Sequence, residues 1–238
     1  MAEDSGGLEF EDVRLHGVSL HRVDLRGAEL VDVQISGEIQ RLTINGVDVA
    51  PLIEAELDRL QPDRVKMRPT DPAGFREAWD LLEQLWEETV QRARALRPEQ
   101  LHESVDGEWS FIETLRHLAF ATDSWIGRAI LGDPSPWHPL DLPWDEMSDT
   151  PGVPRDRAAR PSLDEALALR NDRQATARRY LDQLTEDQLN SDTSPVTGPG
   201  WPPPISFPVR ECLLITLNEE WQHRLYAERD LAALESRP

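Results

Sequence analysis

The strongest constraint on this 238-residue chain is a series of four long stretches beyond residue 70 in which apolar side chains recur every three or four positions. That period lets a helix bury one face and solvate the other. The first stretch begins at Asp71-Pro72, an N-cap followed by proline at the first helical position. It carries Phe75, Trp79, Leu82, Leu85 or Trp86, and Val90 on one face and should end before Pro98. The second begins at Trp109-Ser110, repeats Phe111, Leu115, Leu118, Trp125 and Ala129, and stops at Gly132. Ser162 and Glu165 make a capping box for the third, whose face runs through Leu163, Leu167, Tyr180, Leu181 and Leu184. The fourth runs from about Phe207 to Leu234. Four such faces can bury one another, which predicts a mainly α protein with a four-helix bundle over residues 70–235. The connections at 132–161 and 190–206 are longer than ordinary bundle loops. Their tryptophans, Trp137, Trp144 and Trp201, either wall a pocket or pack the loops themselves.

Charge limits the partners. With 45 acidic and 25 basic side chains the net charge is -20, which repels a phosphate backbone or an anionic leaflet, so neither nucleic acid nor membrane is expected as a partner. The single cysteine, Cys212, excludes an intrachain disulfide and a multi-cysteine zinc site. The start MAEDSGG lacks the basic and apolar regions of a signal peptide, and no apolar run approaches the roughly 20 residues that span a bilayer. A cytoplasmic protein is expected.

The first forty residues follow another period. Phe10, Leu15, Leu20, Leu25, Leu30 and Ile35 recur every five residues, each preceded at two positions' distance by a smaller residue from Val13 to Val33 in all but the first case. This suits a square coil better than a helix or flat strand. The stretch VDLRGAELVD resembles the pentapeptide-repeat family, which implies a right-handed quadrilateral β-helix segment over residues 8–48. At four repeats per turn it would complete only about one and a half turns, too few to cap its own ends, so it would pack on the rest of the protein or on another copy in a homodimer. Asn45-Gly46 between β-branched residues signals a two-residue hairpin. A short helix, PLIEAELDRL, and a proline-marked linker fill residues 49–69, with a boundary near residue 68.

Chemistry concentrates in the fourth helix. In NEEWQHRLYAERDL, Glu219 and His223 are four residues apart and stand on one face, in a stripe with Cys212, Thr216, Tyr226 and Asp230. Leu214, Leu217, Trp221 and Leu225 form the neighbouring packing stripe. A carboxylate and an imidazole on one helix need one more donor from a facing helix to hold a divalent ion, and His117 of the second helix is the candidate. Glu220 is the alternative to Glu219, being three residues from His223. His16, His21, His102 and His138 read as surface residues, Cys212 as a buried inert thiol, and Arg229 and Asp230 as anchors of the helix end.

GEWSFIETLRHLAFATDSWI resembles the second-helix signature of the DinB superfamily, a Trp-Ser helix start followed two turns on by histidine and leucine. EEWQHRLYAERDL resembles its fourth-helix signature. The resemblance implies a DinB-like four-helix bundle that binds one divalent metal ion, often zinc or nickel, through a histidine of the second helix and an H-x-x-x-H pair of the fourth. His117 and His223 match the first and last of these ligands, while Glu219 stands where many members have histidine. The mycothiol-dependent maleylpyruvate isomerase branch has a similar His, Glu, His set, and other members are S-transferases using bacillithiol, glutathione or mycothiol. The resemblance thus implies a metal-dependent transferase or isomerase acting on a small thiol and a small-molecule electrophile. Tyr226, one turn beyond His223, would orient the substrate or simply pack. The alternative is a non-catalytic, metal-binding, stress-associated or protein-interaction module.

Overall fold

The computed structural model describes residues 11, 13, 18, 20–35, 37 and 39–237. They divide into two compact units, with the boundary in the chain between Ala50 and Pro51.

In the first unit, Phe10, Leu15 and His16 lie outside the described residues. The described part of the repeat contains no strand, and no β-helix is shown there. Its apolar positions Leu20, Leu25, Leu30 and Ile35 are exposed. The backbone nevertheless keeps the five-residue rhythm, turning through positive φ at Arg22, Gly27, Asp32 and Gly37. A coil of so few turns has little neighbouring backbone with which to form ladder hydrogen bonds, so regular pairing does not follow from the repeat alone. The hairpin is formed as its turn chemistry requires. Strands β1 (Thr43–Ile44) and β2 (Val47–Asp48) pair antiparallel, with Ile44 opposite Val47. Asn45 and Gly46 take φ of 49° and 83°, the signs a two-residue turn demands.

The second unit is helical. Helix α1 spans Ala50–Leu60 and leads into a 3₁₀ segment, Pro62–Met67. Arg64 and Arg68 bind Glu54 and Asp58 of α1, and Met67 enters the core. The segment read as a linker therefore belongs to this compact unit. The four bundle helices are α2 (Pro72–Arg94), α3 (Phe111–Thr122), α4 (Leu163–Gln183) and, after the one-turn α5 (Glu186–Leu189), α6 (Val209–Glu235). Asp71 caps α2 through Gly74, and complete capping boxes start α3 (Ser110 with Glu113) and α4 (Ser162 with Glu165). The second predicted helix continues past Thr122 as a π-helical stretch, Asp123–Ile130, closed by a bond from Leu131 N–H to the Ile126 carbonyl. Helix α6 packs on α2 and α3, and α4 packs on the same two. No helix among the described residues is long and apolar enough to cross a membrane.

The core falls into two apolar clusters. Phe75, Trp79, Leu82, Ile126, Leu181 and Trp221 belong to one, and Trp86, Ile112, Leu115, Leu118, Leu167 and Leu231 to the other. Along α4 and α6, polar residues lie where one cluster gives way to the other. Arg170 and Glu220, both buried, form an ion pair there, and the Arg170 guanidinium lies 4.4 Å over the Trp86 ring.

Two further arginines, Arg116 and Arg128, are buried, form no ion pair with a carboxylate among the described residues, and bind backbone carbonyls of the long connections. Arg116 reaches Leu140 and Asp156 at 2.6 Å each. Arg128 reaches Pro134, Val196 and Gly198 at 2.6, 3.0 and 2.8 Å. A Cβ at Gly200 would come within 2.7 Å of that guanidinium, so this close approach requires glycine. A guanidinium offers five donors in a fixed fork, which suits it to tying together loops that lack ladders of their own.

Candidate metal centre

The capping box at Ser110 fixes the start of α3 and with it the direction of His117, two turns later. The His117 Nδ1 lies 2.9 Å from the Leu142 carbonyl oxygen, in the connection after α3. A carbonyl only accepts, so this contact puts the proton on Nδ1 and leaves the Nε2 lone pair facing α6. There it meets Oε2 of Glu219 at 3.4 Å, and Nε2 of His223 meets the same oxygen at 3.2 Å. One donor atom from each of the three residues lies within 4.8 Å of the others. A tetrahedral ion with bonds of about 2.0–2.2 Å holds its ligand atoms roughly 3.3–3.6 Å apart. The two measured edges are close to that figure, and the donor set fits zinc or a similar borderline ion.

Electrostatics lead to the same place. Burial pushes the His117 imidazole below its usual range, which favours the neutral ring. Burial alone would raise the Glu219 carboxyl, but hydrogen bonds to His117 and His223 outweigh it and hold the carboxyl far below the usual carboxylate range. A neutral His117 with its proton on Nδ1 cannot donate to Glu219. A lone pair then faces a carboxylate oxygen, and only a proton or a cation between them reconciles the two preferences. His117 is buried, while Glu219 and His223 are partly open, with side chains 30% and 18% exposed.

The structure thus brings together the three residues predicted from spacing. Glu220 turns away into its pair with Arg170 and is not part of the group. Tyr226, 41% exposed, stands edge-on to the His223 ring at 5.9 Å. The tryptophans of the long connections form a continuous aromatic group that reaches the centre. Trp137 and Trp144 contact Phe120 at 5.4 and 6.3 Å, Trp201 contacts Trp144 at 5.0 Å, and Phe120 lies 6.2 Å from His117. His21 is exposed, whereas His102 and His138 are half-buried, and His138 accepts a hydrogen bond from the Leu140 N–H. Burial raises the Cys212 thiol to about 12, which keeps it an unreactive thiol. Arg229 binds Asp230 near the end of α6 and lies over the Tyr226 ring.

Two contributors escape a reading by residue type. Trp109 covers both imidazoles, with ring centroids 4.4 Å from His117 and 5.7 Å from His223, parallel to the latter within 5°. It precedes the Ser110 N-cap and so lies outside α3, where helical spacing does not connect it to His117. The Leu142 carbonyl is a backbone group 25 residues away and carries no sequence signal.

No curated protein and no solved structure matches the chain. A family model described as the DinB superfamily matches residues 81–227, which include all three members of the centre. That span covers more than half of the chain, and it contains α3 and the part of α6 that presents Glu219 and His223: the protein belongs to the DinB superfamily.

Proposed function

We propose that the protein is a divalent-metal-dependent enzyme that joins a small thiol to an electrophilic carbon, or uses such a thiol to isomerise its substrate, with His117, Glu219 and His223 as the metal ligands. The observation that supports this reading is the convergence of one donor atom from each of three residues within 4.8 Å of one another, with the His117 Nδ1 turned to a carbonyl and its Nε2 toward the group. When bound, a divalent ion such as zinc or nickel lowers the pKa of a thiol at its open position, so that a thiol of the mycothiol or bacillithiol type is available as thiolate at neutral pH.

The remaining roles belong to the chain. Leu142 fixes the His117 tautomer. Glu219 contributes one negative charge, so with a dication bound the site would carry a net charge of about +1 and would still attract an anionic sulfur. Trp109 and Phe120 cover His117 with rings and keep water from that side. Tyr226, one turn beyond His223 and partly in solvent, is placed to orient an incoming electrophile.

Two measurements on the purified protein test the proposal. Elemental analysis by inductively coupled plasma should find one equivalent of metal, and a result near zero would refute the metal centre. With mycothiol or bacillithiol and monochlorobimane, conjugation should exceed background and be lost in His117→Ala while circular dichroism stays unchanged. Stoichiometric metal without conjugation would favour the non-catalytic metal-binding module instead.

A further inference from the structure

In the interior, where α3 passes into its π-helical stretch, two carboxyl groups interact. Asp123, the first residue of the π-helical stretch, is 6% exposed, and Asp141 in the following connection is 0% exposed. Among the described residues one cation, Arg173, serves both. Arg173 of α4 donates from Nε and Nη2 to the same oxygen of Asp123, at 3.0 and 2.9 Å. Asp141 uses Oδ2 to accept the His138 N–H at 2.9 Å, and the Asp141 N–H returns a bond to the His138 carbonyl at 2.9 Å, which closes a tight turn. Its other oxygen, Oδ1, is buried with no donor from any described residue, and the carboxyl that interacts with Asp141 belongs to Asp123. Two carboxylates cannot satisfy each other. One proton between them can, since a protonated carboxyl is a donor as well as an acceptor.

We infer that Asp141 is a neutral carboxylic acid donating to Asp123, and that this acid pair is a positioning device for His117. The link is one residue long: the turn that the pair anchors continues into Leu142, whose carbonyl receives the His117 Nδ1–H. The role assigned to His117 rests on the metal reading above, whereas the proton between the two carboxyls does not.

The groups around Asp141 are consistent with one shared proton. From the π-helical stretch comes Asp123, and from α4 come Arg173 and, on its solvent side, Asp172. Arg116 of α3 lies near through the Leu140 carbonyl, and His138 belongs to the same turn, with its Nδ1 already accepting from Leu140. Burial and the neighbouring Asp123 charge push the Asp141 carboxyl up to about 8, so the proton is present at neutral pH. The sign of the linkage follows. An acid whose folded pKa is raised binds its proton more tightly in the native state than in the unfolded chain. Its contribution to stability is therefore greatest at low pH, and it declines as pH rises until the native group ionises. An Asn at 141 can donate to Asp123 and accept from His138 at every pH, so it removes that decline.

The test uses the full-length, metal-free protein. Infrared spectra at neutral pH should show a protonated carboxyl band that disappears in Asp141→Asn. The melting temperature of Asp141→Asn relative to the unsubstituted protein should climb from about pH 5 and level off above the native pKa of about 8. Nitrogen-15 spectra should show His117 protonated at Nδ1 in the unsubstituted protein and in Asp141→Asn. Asp141→Leu, which removes the side-chain acceptor of the His138 N–H and the bond to Asp123 and leaves the turn only its backbone bond, should lose that signature. Absence of the carboxyl band, or a flat melting difference across this range, overturns the shared proton. An unchanged His117 tautomer in Asp141→Leu overturns the positioning role. Should Asp141→Asn not fold, Asp123→Asn is the second variant. Arg173 would then pair with Asp141, and the band must vanish there too. A protein that binds no zinc at all would remove the metal reading but leave each of these outcomes decisive for the acid pair.

Discussion

Glu219 and Glu220 are neighbours of one chemical type, and the structure gives them different work. Glu220 is buried against Arg170, a pair whose separation leaves a charge in the core, while Glu219 faces two imidazoles at the edge of solvent. Replacing Glu220 by Gln keeps the shape and strands the Arg170 charge, which should cost about 3–5 kcal/mol. His223 is partly exposed, and His223→Gln should cost at most about 1 kcal/mol in the metal-free protein. It should, however, weaken zinc binding by at least about 100-fold, the upper end of what loss of a second-sphere partner costs a metal site. Urea titration of the two metal-free variants and zinc competition against a chromophoric chelator would read the contrast. Equal stability losses would remove the distinction between the buried Glu220 pair and the partly exposed His223. The spacing of Glu219 and His223 was legible in the sequence because a helix makes i and i+4 neighbours. The choice between Glu219 and Glu220 was not, since it depends on Arg170, fifty residues away on another helix.

At the level of elements, helix starts carried clear signals and connections did not. Asp71-Pro72 and Ser162 with Glu165 cap the helices their chemistry predicts, because a cap is a local bargain between a side chain and the next turn. The π-helical stretch after Thr122 and the loop ties made by Arg116 and Arg128 arise from packing between distant segments, and their residues read as ordinary polar positions. The five-residue repeat is the reverse case, a strong sequence pattern whose described residues keep the period in their turns without forming strands. Capping allows a graded prediction. Ser110 is 2% exposed and starts the helix that bears His117, whereas Ser162 is exposed. Of the roughly 0.5–2 kcal/mol range for losing a cap, Ser110→Ala should fall near the top and Ser162→Ala near the bottom, as measured by urea unfolding. The reverse order would mean that burial does not amplify the cap.

Across the whole molecule, the net charge of -20 belongs to the surface, because the buried Arg116, Arg128 and Arg170 are matched in the interior by acids such as Asp123, Glu220 and Asp230. Several remaining arginines are spent on pairs with Glu and Asp, for example Arg59 with Glu56, Arg68 with Asp58 and Arg92 with Glu235. Added salt acts on both features. It screens the general repulsion among carboxylates, which favours the compact state, and it weakens exposed ion pairs, which opposes it. The magnitudes decide the sign. An exposed pair contributes about 0–1 kcal/mol, and the buried Arg170–Glu220 pair is largely shielded from ions, whereas unbalanced charge repels over the whole surface. The melting temperature at neutral pH should therefore rise by a few degrees between about 10 mM and about 150 mM sodium chloride, the range over which the Debye length shrinks from roughly 30 to 8 Å. A fall over that range would show that the ion pairs outweigh the repulsion. The same field would also disfavour nucleic acid and leave attraction for an anionic sulfur to the immediate surroundings of the metal centre, where a bound dication would exceed the charge of Glu219.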